Sequence, residues 1–179
     1  NFIGIGGEKM IKEGLESIED IKKLAIMGFI EILKHLSFFN NLTKRILDEI
    51  IRINPDQIIL IDYPGFNWKL TKKIKKNHNI PITYYISPQI WAWKENRIEI
   101  IRKYVDQMLV IFPFEKDWYE KRNILVEFVG HPIFDEWTPA KKIDLCKLLK
   151  VNINKPIITL YPGSRSQELN NHLTLFIEV

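Results

Sequence analysis

Short runs rich in isoleucine, valine and aromatic residues alternate with amphipathic helical patterns along the chain. That alternation fixes the fold class, because parallel strands need a crossover between them and a helix is the usual one: the chain is α/β, built of βα units on a parallel sheet. Residues 2–5 form the first such run, ending at Gly6-Gly7, and a short helix from Glu8 closes at Gly14. Leu42, Ile46, Ile50 and Ile51 recur at helical spacing until Asn54-Pro55 stops them. Residues 57–61 are then a continuous strand of the kind a sheet covered on both faces requires. Asn67 is placed to cap a helix with Leu70 and Ile74 inside and Lys69, Lys72, Lys73, Lys75 and Lys76 outside. Strands over 82–86, 108–111 and 126–129 alternate with helices over 95–104 and 116–122, all joined by short connections.

After Gly130-His131-Pro132 the composition changes. A polar stretch with Thr138-Pro139 leads to a helix over 140–150, then Asn154-Lys155-Pro156, a strand over 157–161, a Pro-Gly-Ser-Arg turn and another helix. This fresh βα start places a domain boundary near 133–140, with a Rossmann-like domain over 1–137 and the beginning of a second nucleotide-binding type of domain over 138–179. With 46% hydrophobic and 27% charged residues, 179 residues supply one full core and part of another. The chain opens at Asn1 within a strand-like run and stops at Val179 within a helical one, so it reads as a fragment.

No run approaches the roughly 18 to 20 apolar residues that span a bilayer, and no signal peptide is visible, so the expectation is a cytoplasmic protein. Cys146 is the single cysteine, which excludes an internal disulfide and a cysteine-based metal site. A net charge of +4 and a pI near 9.0 favour anionic partners, but the lysines are dispersed over helix surfaces and form no nucleic-acid-binding motif.

Ligands of open parallel sheets bind beyond the carboxyl ends of the strands, and four loops there have unusual content. The first is Asp62-Tyr63-Pro64-Gly65-Phe66-Asn67, in which a carboxylate partly desolvated by Tyr63 and Phe66 is either a general base for a sugar hydroxyl or a turn cap. The second, from Ser87 to Lys94, holds Gln89, Trp91 and Trp93. Its hydroxyl, amide and indoles suit a sugar or an acyl chain, and one of the two tryptophans is equally suited to covering the sheet. His131, in the third, is a ligand contact or a structural histidine. In the fourth, Gly163-Ser164-Arg165, Ser164 and Gln167 fit a capping box, and helix-start N–H groups with the Arg165 guanidinium make a diphosphate site. A separate helical pattern over 27–39 puts Phe29, Ile32, Leu33 and Leu36 on one face and continues into Phe38-Phe39. That face is either core or a membrane and acyl-chain contact.

Taken in order, these segments resemble the lipid-A-disaccharide synthase family from end to end. The resemblance runs through Gly4-Ile5-Gly6-Gly7-Glu8-Lys9-Met10, Leu24-Ala25-Ile26-Met27-Gly28 with Glu31-Ile32-Leu33, and Ile61-Asp62-Tyr63-Pro64-Gly65-Phe66-Asn67. It continues through Tyr85-Ile86-Ser87-Pro88-Gln89-Ile90-Trp91-Ala92-Trp93, Phe112-Pro113-Phe114-Glu115, Phe128-Val129-Gly130-His131-Pro132 and Leu160-Tyr161-Pro162-Gly163-Ser164-Arg165. The Asp-x-Pro-x-Phe-Asn and Ser-Pro-x-x-Trp-Ala-Trp loops are the specific part. The Pro-Gly-Ser-Arg turn is shared with other glycosyltransferases.

The resemblance implies a GT-B glycosyltransferase of two Rossmann-like domains facing across a cleft, with no metal and no cofactor beyond its UDP-sugar substrate. It implies transfer of 2,3-diacylglucosamine from UDP to 2,3-diacylglucosamine 1-phosphate (lipid X), giving the β-1',6-linked disaccharide 1-phosphate and UDP. Asp62 corresponds to the acidic residue acting in catalysis and Arg165 to the arginine at the donor phosphates, with Gly163 and Ser164 beside it. Asn67, Ser87, Gln89, Trp91 and His131 are the candidate substrate contacts. The family also implies peripheral association with the inner membrane and the ability to form a homodimer through the second domain. Two departures stand out. Gly65 replaces a second acidic residue found in some members, and the family's N-terminal Gly-Glu-Ala-Ser-Gly-Asp loop and most of the donor domain lie outside this sequence, so the chain alone is expected to be inactive. The alternatives are another GT-B enzyme using a UDP-N-acetylhexosamine and a non-catalytic nucleotide-binding α/β module.

Overall fold

The structure, a computed structural model, describes residues 1–25, 36–139, 148, 150, 158–164 and 166–178. The chain divides into two compact units, Asn1–Glu136 and Trp137–Val179.

In the first unit, β1 (Phe2–Gly6), α1 (Glu8–Lys12) and β2 (Leu15–Asp20) form a small parallel pair of strands, followed by a turn of helix, α2 (Lys22–Ala25). The strand β2 is invisible to a search for apolar alternation, since its sequence LESIED is half acidic; half of its residues are exposed, and it is defined by pairing with β1. The long helix α3 (Leu36–Ile53) leads to β3 (Ile58–Ile61), α4 (Pro64–Asn77), β4 (Ile82–Tyr85), a 3-10 turn (Glu95–Arg97) running into α5 (Ile98–Tyr104), β5 (Gln107–Val110), α6 (Pro113–Glu120), β6 (Glu127–Phe128) and α7 (Ile133–Glu136). Four strands pair in parallel in the order β3-β4-β5-β6, the alternating parallel α/β layout expected of a Rossmann-like domain.

Because each crossover of this sheet steps one strand in the same direction, right-handed connections deliver α4, α5 and α6 to one face. The core lies there. Ile58, Leu60, Ile82, Tyr84, Met108 and Val110 from the strands meet Ile50, Trp68, Ile74, Ile101 and Tyr119 from the helices. On the opposite face Ile59 and Ile61 are 51% and 42% exposed, so the expected double coverage is not what the described residues provide. A polar ladder crosses that face. Gln57 Nε2 donates to Thr83 Oγ1 (2.6 Å), Thr83 donates to Gln107 Oε1 (3.0 Å), and Gln107 Nε2 donates to Glu127 Oε2 (3.3 Å).

Several local expectations shift. The helix expected to begin at Asn67 begins at Pro64, whose fixed φ and missing N–H suit a first helical position. Lys69, Lys72, Lys73 and Lys76 are exposed as expected, but Lys75 lies along the core edge and pairs with Asp106 at 2.7 Å. Leu36 is the exposed first residue of α3, and Phe39 on the same helix packs against Phe66 at 5.7 Å, so this end of the apolar stretch is partly used internally. Phe29, Ile32 and Leu33 lie outside the described residues.

The second unit contributes α8 (Ser166–Glu178). Residues 158–161 of the strand expected there carry no strand, and most of the helix expected over 140–150 lies outside the described residues. Among the described residues no helix is long and apolar enough to cross a membrane.

Candidate functional site

Parallel order places the loops after β3, β4, β5 and β6 side by side at one edge of the sheet. Bonds run between neighbouring loops, and they account for most of the polar groups that the sequence points to.

At the end of β3, Asp62 and Tyr63 both adopt left-handed φ values, 43° and 47°, which side chains other than glycine rarely accept without compensation. The compensation is visible. Asp62 N–H donates to the Tyr85 carbonyl at 2.9 Å, and the Asp62 carbonyl accepts from Tyr84 Oη and from Asn67 Nδ2, both at 2.6 Å. Asn67 is buried, and its amide also reaches the Ile61 carbonyl at 3.3 Å. Asn67, a candidate substrate contact, thus braces the loop from below, with its N–H₂ group spent on main-chain carbonyls. Asp62 itself is exposed, against the expected desolvation by Tyr63 and Phe66, whose rings instead lie 6.4 Å from each other. Among the described residues no hydrogen bond engages its carboxylate, so the backbone is fixed and the acid group faces solvent.

At the end of β4, Ile86 takes φ 66°, strained for a β-branched residue, and turns the chain into the second loop. Ser87 is buried, sharing a 2.7 Å hydrogen bond with Tyr119 Oη and donating to the Pro88 carbonyl at 3.1 Å. It too anchors the loop from below. Burial pushes the Tyr84 and Tyr119 phenols well above their ordinary range, so both hydroxyls stay neutral. Gln89 is exposed. The two tryptophans differ: Trp93 is 63% exposed with the Lys94 ammonium 4.6 Å from its ring, whereas Trp91 is half-buried and edge-on to Phe114 at 4.9 Å.

Trp91 Nε1 donates to Glu115 Oε1 at 3.2 Å, and the other carboxylate oxygen of Glu115 accepts the Phe112 N–H at 3.1 Å. Glu115 is completely buried; burial pushes its carboxyl up, opposed by those two donors. Its place at the third residue after Phe112, just inside a helix opened by Pro113, is the helix-start signal that could have exposed it in the sequence. At the end of β6, Gly130 has φ 85°, which favours glycine, and His131 is half-buried with Nδ1 accepting the Ile133 N–H at 3.1 Å. Its ring lies 5.5 Å from Phe112 and 6.3 Å from Phe134. Phe112 in turn stacks on Phe114, so aromatic rings run from Trp91 to Phe134 across three loops.

A groove of about 290 Å³ opens on the uncovered sheet face, lined by Ile59, Thr83, Tyr85, Leu109, Val129 and Gly130 with Asp135 at its rim. A second hollow of about 420 Å³, lined by residues of β1, β2 and α3, Arg45 and Asp48 among them, includes none of the loop residues above. Among the described residues no group of three or more His, Cys, Asp or Glu is placed to hold a metal ion.

In the second unit, Arg165 lies outside the described residues. Gly163 has φ 113°, and a Cβ there would come within 2.6 Å of Glu168, so only glycine fits the turn. Ser164 N–H donates to Glu168 Oε2 at 2.9 Å. The Glu168 carboxylate thus already occupies one N–H that the diphosphate reading needs, while the side chain of Gln167, expected in the capping box, lies outside what is described.

The family profile for Lipid-A-disaccharide synthetase matches residues 1–179. The chain is 41% identical over 176 residues to lipid-A-disaccharide synthase of Coxiella burnetii, covering 98% of this chain and 46% of that protein. It is 42% identical over 175 residues to lipid-A-disaccharide synthase 1 of Legionella pneumophila, covering 97% and 46%, and 40% identical over 179 residues to the enzyme of Hydrogenovibrio crunogenus, covering 99% and 47%. The chain thus spans about half the length of these relatives. With the alternating parallel sheet and the four loops in place, this similarity assigns the chain to the lipid-A-disaccharide synthetase family.

Proposed function

We propose that the protein to which these residues belong is an inverting hexosyltransferase of lipid A biosynthesis. It moves 2,3-diacylglucosamine from UDP onto the 6-hydroxyl of 2,3-diacylglucosamine 1-phosphate. Asp62 takes the hydroxyl proton as that oxygen bonds to the anomeric carbon; the bond from the anomeric carbon to the UDP oxygen breaks, and UDP leaves with the electron pair. Arg165, with the Gly163-Ser164 turn, offsets the charge that develops on UDP. Donation of the Ser164 N–H to the diphosphate requires Glu168 to release it, since that carboxylate now accepts it.

The observation that carries this reading is the division of labour at Asp62. Its backbone makes three hydrogen bonds to the scaffold, while the residue stays exposed at the strand end in a loop with two left-handed residues. A base must hold a fixed position and keep its acceptor lone pairs for the substrate, and this arrangement meets both conditions. We further place the work at the cytoplasmic surface of the inner membrane, with Phe29, Ile32, Leu33 and Leu36 as the apolar contact, and read 1–137 and 138–179 as acceptor-side and donor-side domains.

The test is the complete enzyme assayed with UDP-2,3-diacylglucosamine and lipid X. Asp62→Asn should lower kcat by about 10²- to 10⁴-fold, the usual worth of a general base, with donor affinity unchanged. Near-normal turnover would remove Asp62 from the chemistry, and turnover of non-acylated UDP-N-acetylglucosamine in preference to the acylated donor would replace the proposed substrate.

A further inference from the structure

Among the described residues the mechanism above leaves one buried carboxylate without a task. Glu115 sits at the start of α6, beneath the aromatic row, with no part of it reached by solvent. A carboxylate in such a place is costly unless each oxygen finds a donor, so its partners show what it is kept for. One oxygen takes the Phe112 N–H, which ties the acid to its own loop after β5. The other takes Trp91 Nε1, a side chain of the neighbouring loop after β4. Six residues separate Trp91 from α5, and the segment between contains only a 3-10 turn opened by Lys94 at φ 64°. Regular structure therefore does little to fix that loop; Ile90 is packed into the core, and two side-chain hydrogen bonds hold the loop from beneath: Ser87 to Tyr119 and Trp91 to Glu115. Both partners, Glu115 and Tyr119, come from the same face of α6, four residues apart.

We propose that Glu115 is a positioning residue of the transferase site: its buried carboxylate clamps the Trp91 indole to the loop after β5, fixing the wall formed by Trp91 and Phe114 beside the Asp62 loop. The proposal rests on the glycosyl-transfer reading only for what the wall serves; the clamp itself is independent of it. Charge-assisted bonds such as these are the stronger class, and an isosteric amide cannot replace them, because glutamine offers one acceptor and one donor where two donors already point.

The experiment is a double-mutant cycle in the complete protein with Glu115→Gln and Trp91→Phe, the latter keeping an aromatic ring against Phe114 while deleting the donor. Two readouts are taken. With 15N-labelled tryptophan, the indole resonance that Trp91→Phe deletes should move upfield and lose protection from solvent exchange in Glu115→Gln, with the other tryptophan resonances in place. In the lipid X assay each single variant should lower kcat/KM about tenfold, mainly through KM for the acceptor, and the double variant should be no worse than the poorer single, as for two ends of one contact. Multiplicative losses in the double variant, or an indole resonance indifferent to Glu115→Gln, overturn the clamp. If Glu115→Gln fails to fold, Trp91→Phe decides alone: unchanged acceptor KM refutes the proposal and a raised one supports it. Should the wild-type protein show no transfer at all while the indole still responds to Glu115→Gln, the clamp stands and the glycosyl-transfer reading falls.

Discussion

Asn67 shows how little local spacing says about where a side chain turns. An amide in a loop at a strand end reads as a helix cap or a sugar contact, and the sequence contains nothing to say which way it turns. Folding buries it and points its N–H₂ at the Ile61 and Asp62 carbonyls, where it offsets two left-handed residues in succession. Asn67→Ala should therefore cost about 1 to 3 kcal/mol in urea denaturation, because it removes both amide hydrogen bonds to the Ile61 and Asp62 carbonyls. Turnover should fall with it while UDP affinity holds; a neutral stability change would mean the loop does not depend on this brace. Ser87 follows the same logic through Tyr119. Asp62, by contrast, was legible as an acid at a strand end, although its exposure was not.

At the scale of elements, one carboxylate joins three of them. Asp106 precedes β5, and its Oδ2 accepts the Ile82 N–H at the start of β4 and pairs with Lys75 in the last turn of α4, both at 2.7 Å. Burial pushes the Asp106 carboxyl up, but Lys75 and the Ile82 N–H outweigh it and hold the group below its ordinary value. An acid depressed in the folded state adds stability above its unfolded pKa, about 3.9, and loses it as pH falls through the lower folded value. Since the Asp106 side chain is 51% exposed, solvent screening limits the gain to about 1 kcal/mol or less. Asp106→Asn should thus destabilise the protein slightly at neutral pH and not at all near pH 2, a difference that urea melts across this range would resolve. A penalty independent of pH would assign the contact to packing instead. The strand β2 was missed for a related reason: with Glu16, Glu19 and Asp20 among its six residues, pairing with β1, not an apolar pattern, defines it.

For the first unit as a whole, the order β3-β4-β5-β6 decides where apolar surface ends up. Crossovers that all step the same way load one face with helices, and the described residues leave Ile59, Ile61 and Val129 substantially exposed on or beside the other. Contiguous apolar surface of this kind binds hydrophobic probes. The isolated chain should accordingly enhance anilinonaphthalene sulfonate fluorescence while retaining native circular dichroism, and Ile59→Thr with Ile61→Thr should reduce that enhancement. Equal dye binding by the double variant would locate the apolar surface elsewhere.

The sequence by itself determined the α/β class, the positions of most strands and helices, and the loops at the strand ends, because these follow from local periodicity, turn residues and the handedness of parallel crossovers. Its motifs were also enough to mark the family. The tertiary structure decided which polar side chains support the loops and which face solvent. Asn67, Ser87 and Glu115 became struts, and Asp62, Gln89 and Trp93 were left outside. The difference is physical: a side chain's orientation depends on donors and acceptors brought to it by strands and helices distant in sequence, and local spacing carries no record of them.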